Sequence, residues 1–171
     1  MAYLLDANVF IQAKNLHYGF DFCPAFWEWL IRAHAAGTVL SIVMVGDELT
    51  AGTDTLAEWA TERGPSFFVP PDPMVEPALR QVSAWVYSQP NYEPAAVNTF
   101  LQKADHMVVA HALAHGHTVV THEKPENSRR IVKIPSPCIA LGVKYVTPYQ
   151  MLRQERARFH LGPAVDPSGA L

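Results

Sequence analysis

The chain has 171 residues, with 13 Lys and Arg against 16 Asp and Glu, a formal net charge of −3. That length corresponds to one domain at roughly 150 residues each. A hydrophobic content of 49% with 17% charged residues is globular and not disordered. Two cysteines, Cys23 and Cys138, exclude a disulfide scaffold or a thiolate metal cluster, and the net charge speaks against a generally basic nucleic-acid binder. The charge is uneven, however. Residues 1–102 carry 4 basic and 11 acidic side chains, and residues 103–171 carry 9 and 5, so one half gathers carboxylates while the other is suited to an anion. No run of 18 apolar residues is present and the N-terminus lacks a basic leader segment, so the expectation is a cytoplasmic protein with no membrane span.

In chain order, the apolar run Ala2–Leu5 predicts a buried strand that ends at Asp6. A helical turn over Asn8–Ala13 and a Tyr/Phe-rich loop over Asn15–Cys23 follow. Pro24 opens a helix carrying Phe26, Trp27, Leu30 and Ile31 at helical spacing, with Gly37 as its stop. Thr38–Val43 is β-branched and predicts a second strand that feeds a short helix, Met44–Thr50. Asp54–Glu62 is a helix capped by Thr53 or Asp54, and Ser66–Val69 a third strand closed by Pro70-Pro71. Helices are predicted over Val75–Tyr87, Pro94–Lys103 and Asp105–His115, the last stopped by Gly116. His117–Thr121 is a fourth strand. After the polar stretch Glu123–Arg130 come a short strand at Ile131–Ile134, a helical turn at Pro137–Leu141, a fifth strand at Val143–Val146 and a closing helix, Pro148–Phe159. One domain over residues 1–160 is expected, with 161–171 a flexible tail.

Short apolar strands alternating with helices imply an α/β fold with a mainly parallel sheet of about five strands. In such sheets the site lies at the carboxyl ends of the strands. Asp6 ends the first strand, Asp47 and Glu48 follow the second, Asp105 opens the helix leading into the fourth, and Glu123 lies two residues beyond it. Adjacent helical residues point about 100° apart, so only one of Asp47 and Glu48 can face such a site. Carboxylates gathered at one edge need a counter-charge, and oxygen-only ligands select Mg²⁺ or Mn²⁺. Read singly, Asp105 is better explained as a helix N-cap and Glu123 as a loop residue; the joint placement of the set is what points to a metal.

Leu4-Leu5-Asp6-Ala7-Asn8, Asp47-Glu48-Leu49, Ala104-Asp105 with Val108-Val109-Ala110-His111-Ala112-Leu113, and Thr118-Val119-Val120-Thr121-His122-Glu123 stand in one order. This series resembles the PIN-domain family of Mg²⁺-dependent nucleases, especially its VapC-type toxins. Phe26-Trp27-Glu28-Trp29-Leu30, Lys133-Ile134-Pro135 with Cys138, and Thr147-Pro148 with Met151-Leu152 are similar to a PIN-like subgroup of uncharacterised function. The resemblance runs from residue 1 to about 153. It implies a three-layer α/β/α sandwich and a catalytic, metal-binding set of Asp6, Glu48, Asp105 and Glu123. Glu123 stands where many relatives carry Asp.

The function so implied is Mg²⁺-dependent endoribonuclease, the toxin of a type II toxin–antitoxin pair, leaving 5′-phosphate and 3′-hydroxyl ends. Asn8 and Thr121 are expected to support the acids, and Lys124, Arg129, Arg130 and Lys133 to hold RNA phosphates. Arg153, Arg156 and Arg158, at near-helical spacing on the closing helix, form a second basic candidate or a partner surface. A cognate antitoxin and a second copy of the chain are the partners the resemblance implies. Two alternatives stand beside it. One is a non-catalytic RNA-binding module on the same fold. The other is a zinc hydrolase using His111 and His115, which stand at i, i+4 but lack the Glu of an H-E-x-x-H motif.

Overall fold

The computed structural model describes residues 1–160; the expected tail at 161–171 lies outside the described residues. Five parallel strands form the sheet: β1 (Tyr3–Leu5), β2 (Val39–Ile42), β3 (Phe68–Val69), β4 (Thr118–Val120) and β5 (Tyr145–Val146), in the order β3-β2-β1-β4-β5. Tyr3 and Leu4 stand opposite Val39 and Leu40 on one side, and Tyr3, Leu4 and Leu5 opposite Thr118, Val119 and Val120 on the other. The central strands are mostly apolar because both faces are covered: Leu4, Leu5, Val39, Val119 and Val120 are fully buried. Burying a Leu side chain stabilises by about 1.5–3 kcal/mol. Ser41, the polar exception on β2, is fully buried and donates its hydroxyl to the Leu5 carbonyl at 2.6 Å.

The helices are α1 (Ala7–Gln12), α2 (Pro24–Ala35), α3 (Val43–Thr50), α4 (Thr55–Phe67), α5 (Val75–Ser88), α6 (Pro94–Gln102), α7 (Ala104–His115), α8 (Pro135–Leu141) and α9 (Pro148–Gln154). The expected α/β/α sandwich with a parallel central sheet is the observed fold. Helix α7 lies across β1, β2 and β4 and is backed by α5, α6 and α8. It has an almost wholly apolar interior, with Val108, Val109 and Ala110 fully buried, and it ends where Gly116 turns left-handed at φ 65°. Phe10, Trp27, Trp59, Phe67 and Phe68 fill the other part of the core, with Phe10 5.7 Å from Trp59 and Trp27 5.1 Å from Trp59 between ring centroids. Gly46 of α3 sits against this cluster: a β-carbon there would stand 2.8 Å from Cγ of Phe68, so only glycine lets α3 lie this close to β3.

Four expectations fail, each for a local reason. The Asn15–Cys23 loop begins with a π-helical turn over Ala13–His17 that continues α1, closed by the Tyr18 N–H on the Ala13 carbonyl at 2.7 Å. Helix α4 runs on past Glu62 to Phe67 across a break at Gly64-Pro65, leaving only two residues to β3. Ile131–Ile134 is not a strand: the Ile134 N–H is spent on the Glu123 carboxylate at 2.7 Å, and Pro135 opens a helix at once. The closing helix stops at Gln154. The Arg156 and Ala157 N–H groups bond back to the Arg153 and Leu152 carbonyls, with Arg156 left-handed at φ 53°, a helix terminus that glycine usually makes. Arg156 and Arg158 therefore do not continue the helical row of Arg153.

Candidate active site

In the order β3-β2-β1-β4-β5 the chain crosses from one side of β1 to the other, so the crevice between the carboxyl ends of β1 and β4 is where the adjoining loops part. Asp6 leaves β1 there and Thr121-His122-Glu123 leave β4. The Asp6 N–H is bonded to the Val120 carbonyl at 3.0 Å, which fixes the two strand ends against each other. Asp6 occupies the N-cap position of α1, yet its side chain makes no capping bond. It is turned instead to the Thr121 hydroxyl, which donates to Asp6 Oδ2 at 3.0 Å.

Thr121 is the hub of this crevice. Its single hydroxyl donates to Asp6 and accepts from Asn8 Nδ2 at 3.2 Å and from the Glu123 N–H at 3.1 Å, using its one proton and both lone pairs. Asn8 returns along the other side, its Oδ1 accepting from the His122 N–H at 3.1 Å. Thr121 thus holds the Asp6 carboxylate directly and Asn8 acts through Thr121 and the His122 backbone, together tying the end of β1 to the end of β4.

Asp6, Glu48, Asp105 and Glu123 line one cavity of about 430 Å³, together with Asn8 and Lys103. Four distant segments meet there. Glu48 is the exposed member, on α3. Its neighbour Asp47 points into a different groove, between α3 and α4. Asp105 is not the N-cap of α7. The helix begins at Ala104 with Lys103 as its cap, and Asp105 lies in the first turn. The electrostatics record the crowding. Burial, the Asp105 charge and the Glu123 charge push the Asp6 carboxyl up to about 8, against the Thr121 bond that lowers it. Burial and then Glu123 push Asp105 up to about 6, with Lys103 pulling the other way and Glu48 adding to the rise.

Glu123 is held most firmly. Its carboxylate accepts the Ile134 N–H and pairs with Lys133 Nζ at 3.2 Å, with side chains 17% and 26% exposed. The ammonium of Lys133, expected on substrate, is therefore on Glu123. Lys133 and Lys124 line a second groove of about 540 Å³ that shares Asn8 and Glu123 with the acidic cavity. Arg129 and Arg130 are elsewhere. Arg129 lines a separate polar cavity with Gln89, Asn91 and Tyr92, and its carbonyl accepts the Glu93 N–H at 2.8 Å. Arg130 Nε lies 3.8 Å from Glu93 Oε1.

The histidine pair also lies elsewhere. His111 and His115 face each other on α7 with ring centroids 4.7 Å apart, and His117 completes a trio at 5.9 and 5.5 Å. His117 Nδ1 accepts the Ala2 N–H at 3.2 Å, which places the trio at the amino edge of the sheet, opposite the carboxylates. His115 Nε2 lies 3.0 Å from Asp72 Oδ2, but not in a direction that makes a hydrogen bond, and His111 Nδ1 has no partner. Among the described residues no three His, Cys, Asp or Glu side chains already stand as a complete ion site, at either edge.

A family model described as a domain of unknown function (DUF4411) matches residues 3–159. The chain belongs to the DUF4411 family. No curated protein matches the sequence. In three dimensions the chain is similar to a chain in the crystal structure of VapBC2 from Rickettsia felis bound to a DNA fragment from their promoter. The likeness has a TM-score of 0.52 at 13% identity and covers 86% of this chain and 98% of the other. It bears on the fold, which is PIN-like, as the resemblance in the sequence implies. No helix among the described residues is long and apolar enough to cross a membrane.

Proposed function

We propose that this DUF4411 chain is a Mg²⁺-dependent endoribonuclease, acting as the toxin of a type II toxin–antitoxin pair. One observation carries the reading: four carboxylates from four separate segments open onto a single cavity at the crossover point of a parallel sheet, and burial and mutual repulsion hold two of them above their ordinary range. Such a cluster is stabilised by a cation. The donor set is all oxygen and suits Mg²⁺ or Mn²⁺, and Mg²⁺ needs no closed protein cage because it keeps several waters and is commonly held by one or two carboxylates. Asp6, Glu48 and Asp105 would hold the ion, with Glu123 on the adjoining wall.

When bound, Mg²⁺ supplies a water of lowered pKa and offsets charge on the leaving oxygen. The chain does the rest. Thr121 fixes the Asp6 carboxylate, and Asn8 locks the two strand ends that carry Asp6 and Glu123. Lys133 holds Glu123 in place and so positions the wall between the cavity and the basic groove. Lys124, exposed on that groove, offers its ammonium to an RNA phosphate. The similarity to a chain of a VapBC pair supports an antitoxin as partner, and a second copy of the chain and a cytoplasmic setting accompany that reading.

The test is cleavage of RNA by the purified chain with Mg²⁺ and with EDTA, by wild type and Asp6→Asn. Cleavage with Mg²⁺ only, and by wild type only, is expected; cleavage that survives either change ends the reading. Growth arrest on induction, relieved by co-expression of a small protein encoded beside this chain, tests the toxin assignment separately.

A further inference from the structure

Beside the acidic cavity, three aromatic rings from distant segments form one packed group. His17 and His122 are 5.5 Å apart between ring centroids, His17 and Tyr149 5.5 Å, and His122 and Tyr149 5.7 Å; Tyr149 Oη and His17 Nε2 are 2.9 Å apart. A different local device places each ring. His17 ends the π-helical turn Ala13–His17, an uncommon geometry in any helix. His122 has its backbone N–H pinned by Asn8, the residue that also braces Asp6 through Thr121. Tyr149 lies in the first turn of α9, whose start is fixed by a reciprocal capping box between Thr147 and Gln150. Tyr149 nonetheless leaves 37% of its surface exposed. His122 lines the groove that shares Asn8 and Glu123 with the acidic cavity, and Lys124 lies on the same groove without an ion pair among the described residues.

We propose that His122, backed by His17 and Tyr149, is a shelf on which a nucleotide of single-stranded RNA stacks its base, with Lys124 holding the adjoining phosphate, so that the next phosphodiester lies over the acidic cavity. This rests on the nuclease reading above. Its chemistry is that of single-strand recognition, which pairs an aromatic face with a cationic groove and targets unstacked bases. Lys133 is not part of the grip, because its ammonium is already on Glu123.

The experiment measures binding of a fluorescein-labelled single-stranded RNA of about ten nucleotides in EDTA, so that no cleavage intervenes. The same RNA with abasic positions is the second probe. Base stacking is lost on alanine substitution at a cost that corresponds to about fivefold or more in affinity. His122→Ala and Tyr149→Ala are expected to bind at least about fivefold more weakly. They are also expected to lose the wild type's preference for RNA that carries bases. Tyr149→Phe, which keeps the ring, is expected to bind like wild type, and Lys124→Ala to reduce the salt dependence of binding without touching the base preference. Wild-type affinity in both alanine variants, or equal wild-type binding of abasic RNA, overturns the shelf. The two readings fail separately. RNA cleavage by wild type with unchanged binding in His122→Ala removes the shelf and leaves the nuclease, whereas Mg²⁺-independent cleavage or an active Asp6→Asn removes the nuclease assignment of the acidic cavity.

Discussion

The two edges of the sheet each crowd like groups together, and they resolve the crowding in opposite ways. At the amino edge His111, His115 and His117 lie within 5.9 Å of one another, and burial followed by the neighbouring imidazoles brings His111 down to about 4. An imidazole can shed its proton near neutrality, and burial with the neighbouring imidazoles favours the uncharged form of His111 and His117, which relieves the crowding without a ligand. At the carboxyl edge the same forces push Asp6 up to about 8. A carboxylate starts so far below neutrality that four of them cannot all become neutral by small shifts. The acidic edge therefore retains a charge deficit that a cation can fill, and the histidine edge does not. This contrast, more than the spacing of His111 and His115, separates the two metal readings.

The largest expected effect breaks the carboxyl edge. Asp6→Asn should lower kcat/KM for RNA cleavage in Mg²⁺ by about a thousandfold, several kcal/mol of lost charge stabilisation at 1.36 kcal/mol per decade. It should raise the melting temperature in EDTA at pH 8, because a buried charge is removed. Unchanged cleavage, or a lower melting temperature in EDTA, would count against the charge-deficit account.

Next comes the pH dependence, which separates the edges directly. The folded-state pKa of Asp6 is raised, so its contribution to stability is fully present below about pH 4 and is lost as the pH rises through about 8. That of His111 is lowered, so its contribution is present above about 6.5 and is lost as the pH falls through about 4. The metal-free protein should thus be less stable toward both ends, and Mg²⁺ should raise the melting temperature at pH 8 far more than at pH 5. His111→Leu should flatten the acid side alone, and Asp6→Asn the alkaline side alone. Melting curves across pH, with and without Mg²⁺, check all of this.

Thr121→Val should cost about 1–3 kcal/mol, because three groups lose their partner at once. It should also reduce cleavage by about 10–100-fold through the misplaced Asp6. Thr121→Ser, which retains the hydroxyl, should recover most of both, as chemical denaturation and steady-state rates would reveal. The smallest effect is at Lys133→Met, at most about 1 kcal/mol for a partly exposed ion pair. Here the salt dependence of RNA binding should stay unchanged, in contrast to Lys124→Ala.

Much of this was legible in the sequence because it is local. The five apolar strands, the proline-opened helices and the Gly116 stop are each written within a few residues, and the parallel sense of the sheet follows from the alternation of strands and helices, whereas the order β3-β2-β1-β4-β5 does not. The position of Asp6, Glu48, Asp105 and Glu123 at one edge follows from the rule that the site lies at the carboxyl ends of such strands. What escaped depends on contacts across long stretches of chain. Nothing near Lys133 announces that its ammonium belongs to Glu123, nor near Ile134 that its N–H does. The left-handed Arg156 hides a helix end because glycine is the usual marker. His117 is separated from its trio by the glycine that ends α7, and His17 meets Tyr149 across 132 positions. The π-helical turn that carries His17 leaves no periodic signal to read.

Gly46 lines the groove between α3 and α4 and not the acidic cavity, yet it stands two residues before Glu48 on the same helix. The missing side chain lets α3 lie on Phe68; adding one methyl group at 2.8 Å from that ring would lift the helix and carry Glu48 with it. On the nuclease reading, a complete substitution map of the chain should score position 46 like one of the acids, although it lies in the core. The effect would be indirect: one of the four carboxylates is aimed by an atom that is not there.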